Sequence, residues 1–264
     1  MKRRCFTAAA TLGSAMALLP ATSPAQVTDL NDAINKAGRQ RMLSQRMAKS
    51  YLAEGEAVVP ELAQRTLSGS MALFDRQLVE LKAFSPRPEI KSTYGNLEAV
   101  WSDYKAALVG SKPAKSQAGA MLDLAAKVLA LAHQGTVQLE KVSGRPLGHL
   151  VNVSGRQRML SQRMAAFYLS ISWGVQTATS TTELNKARGE FVAAHDELRK
   201  APETTPAIKA ELELAETQFT FFDTALRTLR PGAPDASHMA NVFTTSERIL
   251  QVMDGVTGMY SKLS

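Results

Sequence analysis

The sequence is poor in the residues that most chemistry needs. Its one cysteine is Cys5, inside a stretch that reads as a removable leader, so the mature chain is expected to carry neither a disulfide nor a thiol, and no lipid-bearing cysteine at the cleavage point. Four histidines, His133, His149, His195 and His238, are scattered along the chain. No Cys-x-x-Cys-His, no Glu-x-x-His pair, no nucleophile elbow and no phosphate-loop spacing occurs, which argues against a bundle cytochrome, a di-iron site, a hydrolase or a nucleotide-dependent enzyme. No catalytic residue, metal or cofactor is assigned. Aromatics are only 6% of the residues, against 45% hydrophobic overall and just 11 prolines, a composition that points to helices and away from a sandwich or barrel. Beyond the leader no apolar run is long enough to span a bilayer.

The leader is MKRRCFTAAATLGSAMALLPATSPA, residues 1–25. Lys2, Arg3 and Arg4 form a basic start, an Ala/Leu-rich run reaches about Leu19, and Ser23 and Ala25 suit signal peptidase. Arg3-Arg4-Cys5-Phe6 also resembles a twin-arginine signal, so the Sec and Tat routes both stand. The mature product is expected in the periplasm. The formal charge of +7 drops to +4 when three basic residues leave with the leader, from 28 basic against 24 acidic groups. An excess that small is no footprint for nucleic acid.

What is abundant is repetition. Gly38 to Ala48 recurs without change as Gly155 to Ala165, 117 residues later (155 minus 38). Outside this block the halves align only through scattered apolar positions, so a local constraint has held the two copies alike. Helical periodicity runs from about 27 to 57, from Pro60 to Ser85-Pro86, from 89 to 109 and from 116 to 142; then again from 147 to 177, from a Ser180-Thr-Thr-Glu183 capping box to Pro202, from 206 to 229, and from 237 to 262. Leu97, Trp101, Tyr104 and Leu108 are answered by Leu214, Phe219, Phe222 and Leu226, and Lys127-Val-Leu129 by Arg248-Ile-Leu250. These aromatics, with Phe221, read as core at helical spacing, and Met42, Met47, Met159 and Met164 as packing residues. The expected architecture is all-α: two tandem, elongated, antiparallel four-helix bundles related by internal duplication, 26–144 and 145–264. Whether they stack end to end or side by side is open at this point.

On a helical wheel, Leu30, Ala33, Ile34, Ala37, Gly38, Ala48 and Leu52 share one apolar face. Leu43, Met47 and Tyr51 form a second strip, and Asn35, Arg39, Arg46 and Lys49 fill a polar sector that reads as solvated. Arg41 breaks the pattern by falling in the middle of the apolar face, and Arg158 does the same among Leu147, Val151, Gly155 and Leu169. A cation aimed into a helix interface needs an anion or several acceptors there. No acid lies between Ala33 and Ala53 or between Lys141 and Thr182. The partner is then either an acid of another helix or helix-end carbonyls, or a small diffusible anion matched by the guanidinium fork, with Gly38 and Gly155 allowing close approach.

INKAGRQRMLSQRMAK resembles the P-box of the PilJ-type domain, the periplasmic N-terminal module of type IV pili chemotaxis transducers, also found in nitrate/nitrite sensor kinases. The match covers about 19 residues in each copy. The resemblance implies a four-helix bundle that dimerises and binds one nitrate between two first helices, held by the P-box arginine and by backbone near the P-box glycine. Carried over by position, the ligand-binding residues are Arg41 and Arg158 with Gly38 and Gly155. At Arg39, Gln40, Leu43 and Gln45 the sequence departs from the nitrate-sensor form, where Ser, Leu, Gln and Tyr stand. The implied function is a periplasmic receptor for nitrate or nitrite that signals through a separate membrane sensor, transporter or pilus/chemotaxis component. No HAMP-like, kinase or methyl-accepting region is present to transmit the signal itself. The alternative is a protein-interaction module of a pilus or chemotaxis system with no small-molecule ligand. Two arginines in one chain also leave two arrangements open, a homodimer or an intrachain pseudo-dimer.

Overall fold

The computed structural model describes residues 26–263; the leader assigned to residues 1–25 lies outside the described residues. Eight helices occur among the described residues: α1 (Leu30–Gly55), α2 (Pro60–Phe84), α3 (Pro88–Val109), α4 (Lys115–Ser143), α5 (Pro146–Trp173), α6 (Thr177–Lys200), α7 (Pro206–Leu226) and α8 (Ala236–Ser261). No strand occurs among the described residues.

Local chemistry sets the ends. Prolines open α2, α3, α5 and α7, where a missing N–H has no helical partner to lose. The carboxylates of Asp29 and Asp235 and the hydroxyl of Thr205 accept from the backbone N–H three residues on, at Asp32, His238 and Ile208. Gly144 and Gly174 close α4 and α5 in the left-handed region at φ 58° and 70°. The Gly174 stop corrects the sequence reading of the fifth helix, which ran to 177. It also puts the Ser180–Glu183 capping box inside α6, where Ser180 is buried and its hydroxyl meets that of Ser170 at 3.0 Å.

Within each half the first helix packs on the second and fourth, and the third packs on the fourth, giving two antiparallel four-helix bundles. The bundles stand side by side, and the most extensive helix contact in the molecule is between α1 and α5. These two helices run parallel: Gly38 faces Gly155 near one end and Gly55 faces Trp173 at the other. Each is therefore surrounded on nearly all sides, and the buried apolar core is continuous from one bundle into the other. The intrachain pseudo-dimer is the arrangement adopted.

Central burial overturns the solvated sector assigned to α1. Lys49 is 0% exposed and is held by Glu247 Oε1 at 2.6 Å and Ser246 Oγ at 3.0 Å, with Phe243 beneath it at 4.0 Å. Arg46 also reaches Glu247, and Arg39 reaches Asp254 at 2.8 Å. The wheel could not show α8 lying against this face. Two apolar assignments in α7 also fail: Leu214 and Phe221 are exposed, and Ala215 is the residue that is buried beside Phe222 and Leu226.

At the far end of α1 an ideal Cβ on Gly55 would sit 2.3 Å from the Trp173 ring, so only glycine fits. Next to it Glu56 is partly buried with neither carboxylate oxygen hydrogen-bonded. Burial pushes its pKa up to about 8, only partly opposed by Lys115. The folded state thus prefers the protonated acid: the stability linked to Glu56 is full below its unfolded pKa and declines as pH rises toward 8. Glu56→Gln is expected to raise the melting temperature at pH 8 and to leave it unchanged at pH 4. The gain should be about 1 kcal/mol after allowing for the partial exposure of the group, readable by calorimetry at the two pH values.

Candidate functional site

The repeated block lies where α1 and α5 cross. A Cβ on Gly38 would approach the Cα of Gly155 to 3.8 Å, and one on Gly155 would approach that of Gly38 to 3.9 Å, so two glycines set how closely the backbones meet. Over this crossing lie both guanidiniums. The same Gly38 Cβ would be 3.2 Å from Arg41 Nη2 and 3.5 Å from Arg158 Nη2, and the Gly155 Cβ 3.6 Å and 3.2 Å from them. The four residues singled out in the sequence, 38, 41, 155 and 158, are brought together at one point.

The polar residues of the block bond in pairs related by the pseudo-two-fold. Arg41 Nη2 donates to the Asn152 carbonyl at 3.1 Å, and Arg158 Nη2 to the Asn35 carbonyl at 3.2 Å, each arginine reaching across to the other helix. Gln40 and Gln157 donate to the carbonyls of Phe74 and Phe191, and Gln45 and Gln162 to those of Ala125 and Ser246. Ser44 and Ser161 bond the carbonyls of Arg41 and Arg158. These glutamines and serines are wholly or nearly buried. Their fixed partners explain why the glutamines and serines of the block repeat unchanged: replacing one would orphan a buried acceptor or donor in a shared interface.

The two arginines are fully buried and differ in two respects: Arg158 Nη2 also donates to the Asn35 side-chain oxygen at 2.9 Å, whereas the Asn152 side chain is turned to Glu140 and its oxygen has no partner, and the groups that meet the two Nη1 atoms are different. Arg158 Nη1 donates to Asp254, which also takes Arg39. The residue of α4 that corresponds to Asp254, by the register that pairs Lys127-Val-Leu129 with Arg248-Ile-Leu250, is His133. Its Nδ1 stands 3.3 Å from Arg41 Nη1, and no carboxylate contacts Arg41. Glu140 is nearby, engaged instead by His149 and the Asn152 side chain. Burial, then the Arg158 and Arg156 charges, bring the Arg41 pKa down to about 9. Arg158 falls to about 10, through burial and Arg39, with Asp254 opposing. Both stay cationic at neutral pH. The pKa of His133 is lowered by partial burial and by Arg41 beside it, so it is neutral there. Nε of each arginine has no partner.

His133 escaped the sequence reading because nothing in its own helix marks it; only the register against Asp254 does. Of the partners left open by the sequence, an acid of another helix is found at Arg158, whereas Arg41 meets the Asn152 carbonyl and His133 and no acid. Among the described residues no cluster of three His, Cys, Asp or Glu could hold a metal, and no helix is long and apolar enough to cross a membrane.

A family model described as type IV pili methyl-accepting chemotaxis transducer N-term, PilJ, matches residues 25–131 and again 143–226. No curated protein and no solved structure matches the chain.

Proposed function

As the chain belongs to the PilJ family of chemotaxis-transducer N-terminal sensory domains, in two tandem copies, we propose that it is a periplasmic receptor for a small oxyanion. The ligand is nitrate or nitrite, held by Arg41 and Arg158 over Gly38 and Gly155, and its binding is passed to a membrane-bound chemotaxis or pilus component. The observation that carries this reading is Arg41, a wholly buried cation with no carboxylate partner and a second guanidinium converging on the same two glycines. Two like charges enclosed together repel, and an anion between them converts that repulsion into attraction in a medium where charge pairing is strong. The missing Cβ atoms let both guanidiniums lie directly against the crossing backbones.

Arg41→Met is the informative variant, since it keeps the bulk and removes a charge that has no acid to lose. Wild type is expected to gain about 2.7 kcal/mol of stability at nitrate concentrations 100 times the dissociation constant. Arg41→Met should show no nitrate response by calorimetry, and without ligand it should be as stable as wild type or more so, by up to about 1–4 kcal/mol. Undiminished nitrate binding by this variant would sink the proposal. The alternative, a protein-interaction module, is favoured by the Arg158–Asp254 pair, which already neutralises half of the site; a wild type unmoved by every oxyanion tried would select it.

A further inference from the structure

The pseudo-two-fold gives the molecule two corresponding grooves, and comparing them isolates a second site. One groove, of about 380 Å³, has Arg39, Met42 and Arg46 of α1 on its floor and Glu247, Gln251 and Asp254 of α8 on its wall. The other, of about 250 Å³, has Arg156, Met159 and Arg163 of α5 on its floor and Ala126, Ala130 and His133 of α4 on its wall, with Leu129 and Arg41 completing it. The floors are identical by the repeat, whereas the wall has lost both of its acids.

In the first groove each of the two acids serves two cations. Asp254 bridges Arg158 and Arg39, and Glu247 serves Arg46 and Lys49. In the second, Arg156 and Arg163 find Glu190 and Glu183 on α6, at 2.7 and 2.6 Å. Lys49 has an alanine, Ala166, as its counterpart. Arg41 alone meets no acid: it is buried, it lines the groove, and His133 stands where the acid would be. Arg41 is the one cation here that no acid meets, and apart from His133 the wall beside it is alanine and leucine.

We propose that the α4/α5 groove binds a small organic monocarboxylate, whose head takes on Arg41 and Arg156 the place that the Asp254 side chain takes on Arg158 and Arg39. Asp254 is in effect the chain's own copy of that ligand. A single negative charge gives Arg41 the acid partner it lacks. The short apolar body of the ligand lies along Leu129, Met159, Ala126 and Ala130, and the thioether of Met159 accepts aliphatic and aromatic bodies alike. His133 faces the carboxylate with its ring as a donor. This site uses the availability of Arg41 that the oxyanion reading also uses, but it is entered from the groove and does not need Arg158.

The test is isothermal calorimetry of the mature chain with sodium butyrate, sodium benzoate and sodium nitrate. Wild type is expected to bind butyrate or benzoate at one site per chain. His133→Asp rebuilds around Arg41 the arrangement already present around Arg158 and should weaken carboxylate binding at least about tenfold while the protein remains folded. The reciprocal Asp254→His should raise the stoichiometry from one to two, and if it fails to fold, His133→Asp still decides. Carboxylate binding that is unchanged in His133→Asp overturns the proposal, as does a wild type that binds neither carboxylate. Nitrate binding without carboxylate binding rejects this site and keeps the oxyanion reading; carboxylate binding without nitrate does the reverse.

Discussion

Gly38→Leu is expected to destabilise the protein by about 3 kcal/mol or more and to force α1 and α5 apart. At this position even the first side-chain carbon would lie 3.2 Å from one guanidinium, 3.5 Å from the other and 3.8 Å from the backbone of the facing helix. The added atoms must occupy the space that the arginines fill, so two buried cations would have to leave their carbonyl acceptors. Gly155→Leu should do the same, because the crossing is symmetric. Gly69→Ala is the control. Nothing lies within 4 Å of a Cβ there, and replacing a mid-helix glycine should raise stability by about 0.5–1 kcal/mol. Gly38→Ala falls between the two. Its helix gain offsets a small displacement of Arg41, so stability changes little while nitrate binding is lost. Urea denaturation of the four variants checks the order, and equal stability of Gly38→Leu and wild type would show that the crossing tolerates separation.

The second large effect is at Glu247. Its carboxylate is the only acid in contact with Lys49 among the described residues, and it accepts from Arg46 as well. Burial acts to raise the Glu247 pKa, but Lys49 and Arg46 hold it down to about 2, while burial drags Lys49 down to about 8 against the pull of Glu247. Glu247→Ala leaves an enclosed ammonium without an anion and should cost about 3–5 kcal/mol at neutral pH. The loss should shrink as pH rises through the lowered Lys49 pKa, since a neutral amine is cheaper to enclose. In wild type the Glu247 contribution is full above its unfolded pKa and disappears as pH falls toward 2. Adding Lys49→Ala to Glu247→Ala should recover most of the stability, because the pair is then removed together. The molecule already contains that double replacement: the matching positions of the other half are Ala166 and Ala126. Thermal melts of the single and double variants check this, and a double variant no better than Glu247→Ala would show that the pair is not coupled.

The helices themselves were legible in the sequence, since period, proline and glycine positions, and capping residues act within a few residues along the chain. The misplaced boundary at Gly174 arose because the apolar period runs on through 173 to 177 while one left-handed residue ends the helix. Leu214 read as core because it is apolar at nearly the right step; the adjacent Ala215 is what faces inward.

The sequence by itself determined an all-α chain, two copies of one bundle plan, and an arginine in each copy that sits on an apolar helix face. Helix geometry makes these local facts: 3.6 residues per turn decide which side a residue takes, whatever lies opposite. Only the tertiary structure decided that the copies pair within one chain, that Lys49 is enclosed and answered by Glu247, and that Arg158 meets Asp254 whereas Arg41 meets His133. Those outcomes depend on residues 92 to 198 apart in the chain coming within hydrogen-bond range. The state of a buried charge is set by what faces it across such a contact, and the block, identical in both copies, carries no information about that.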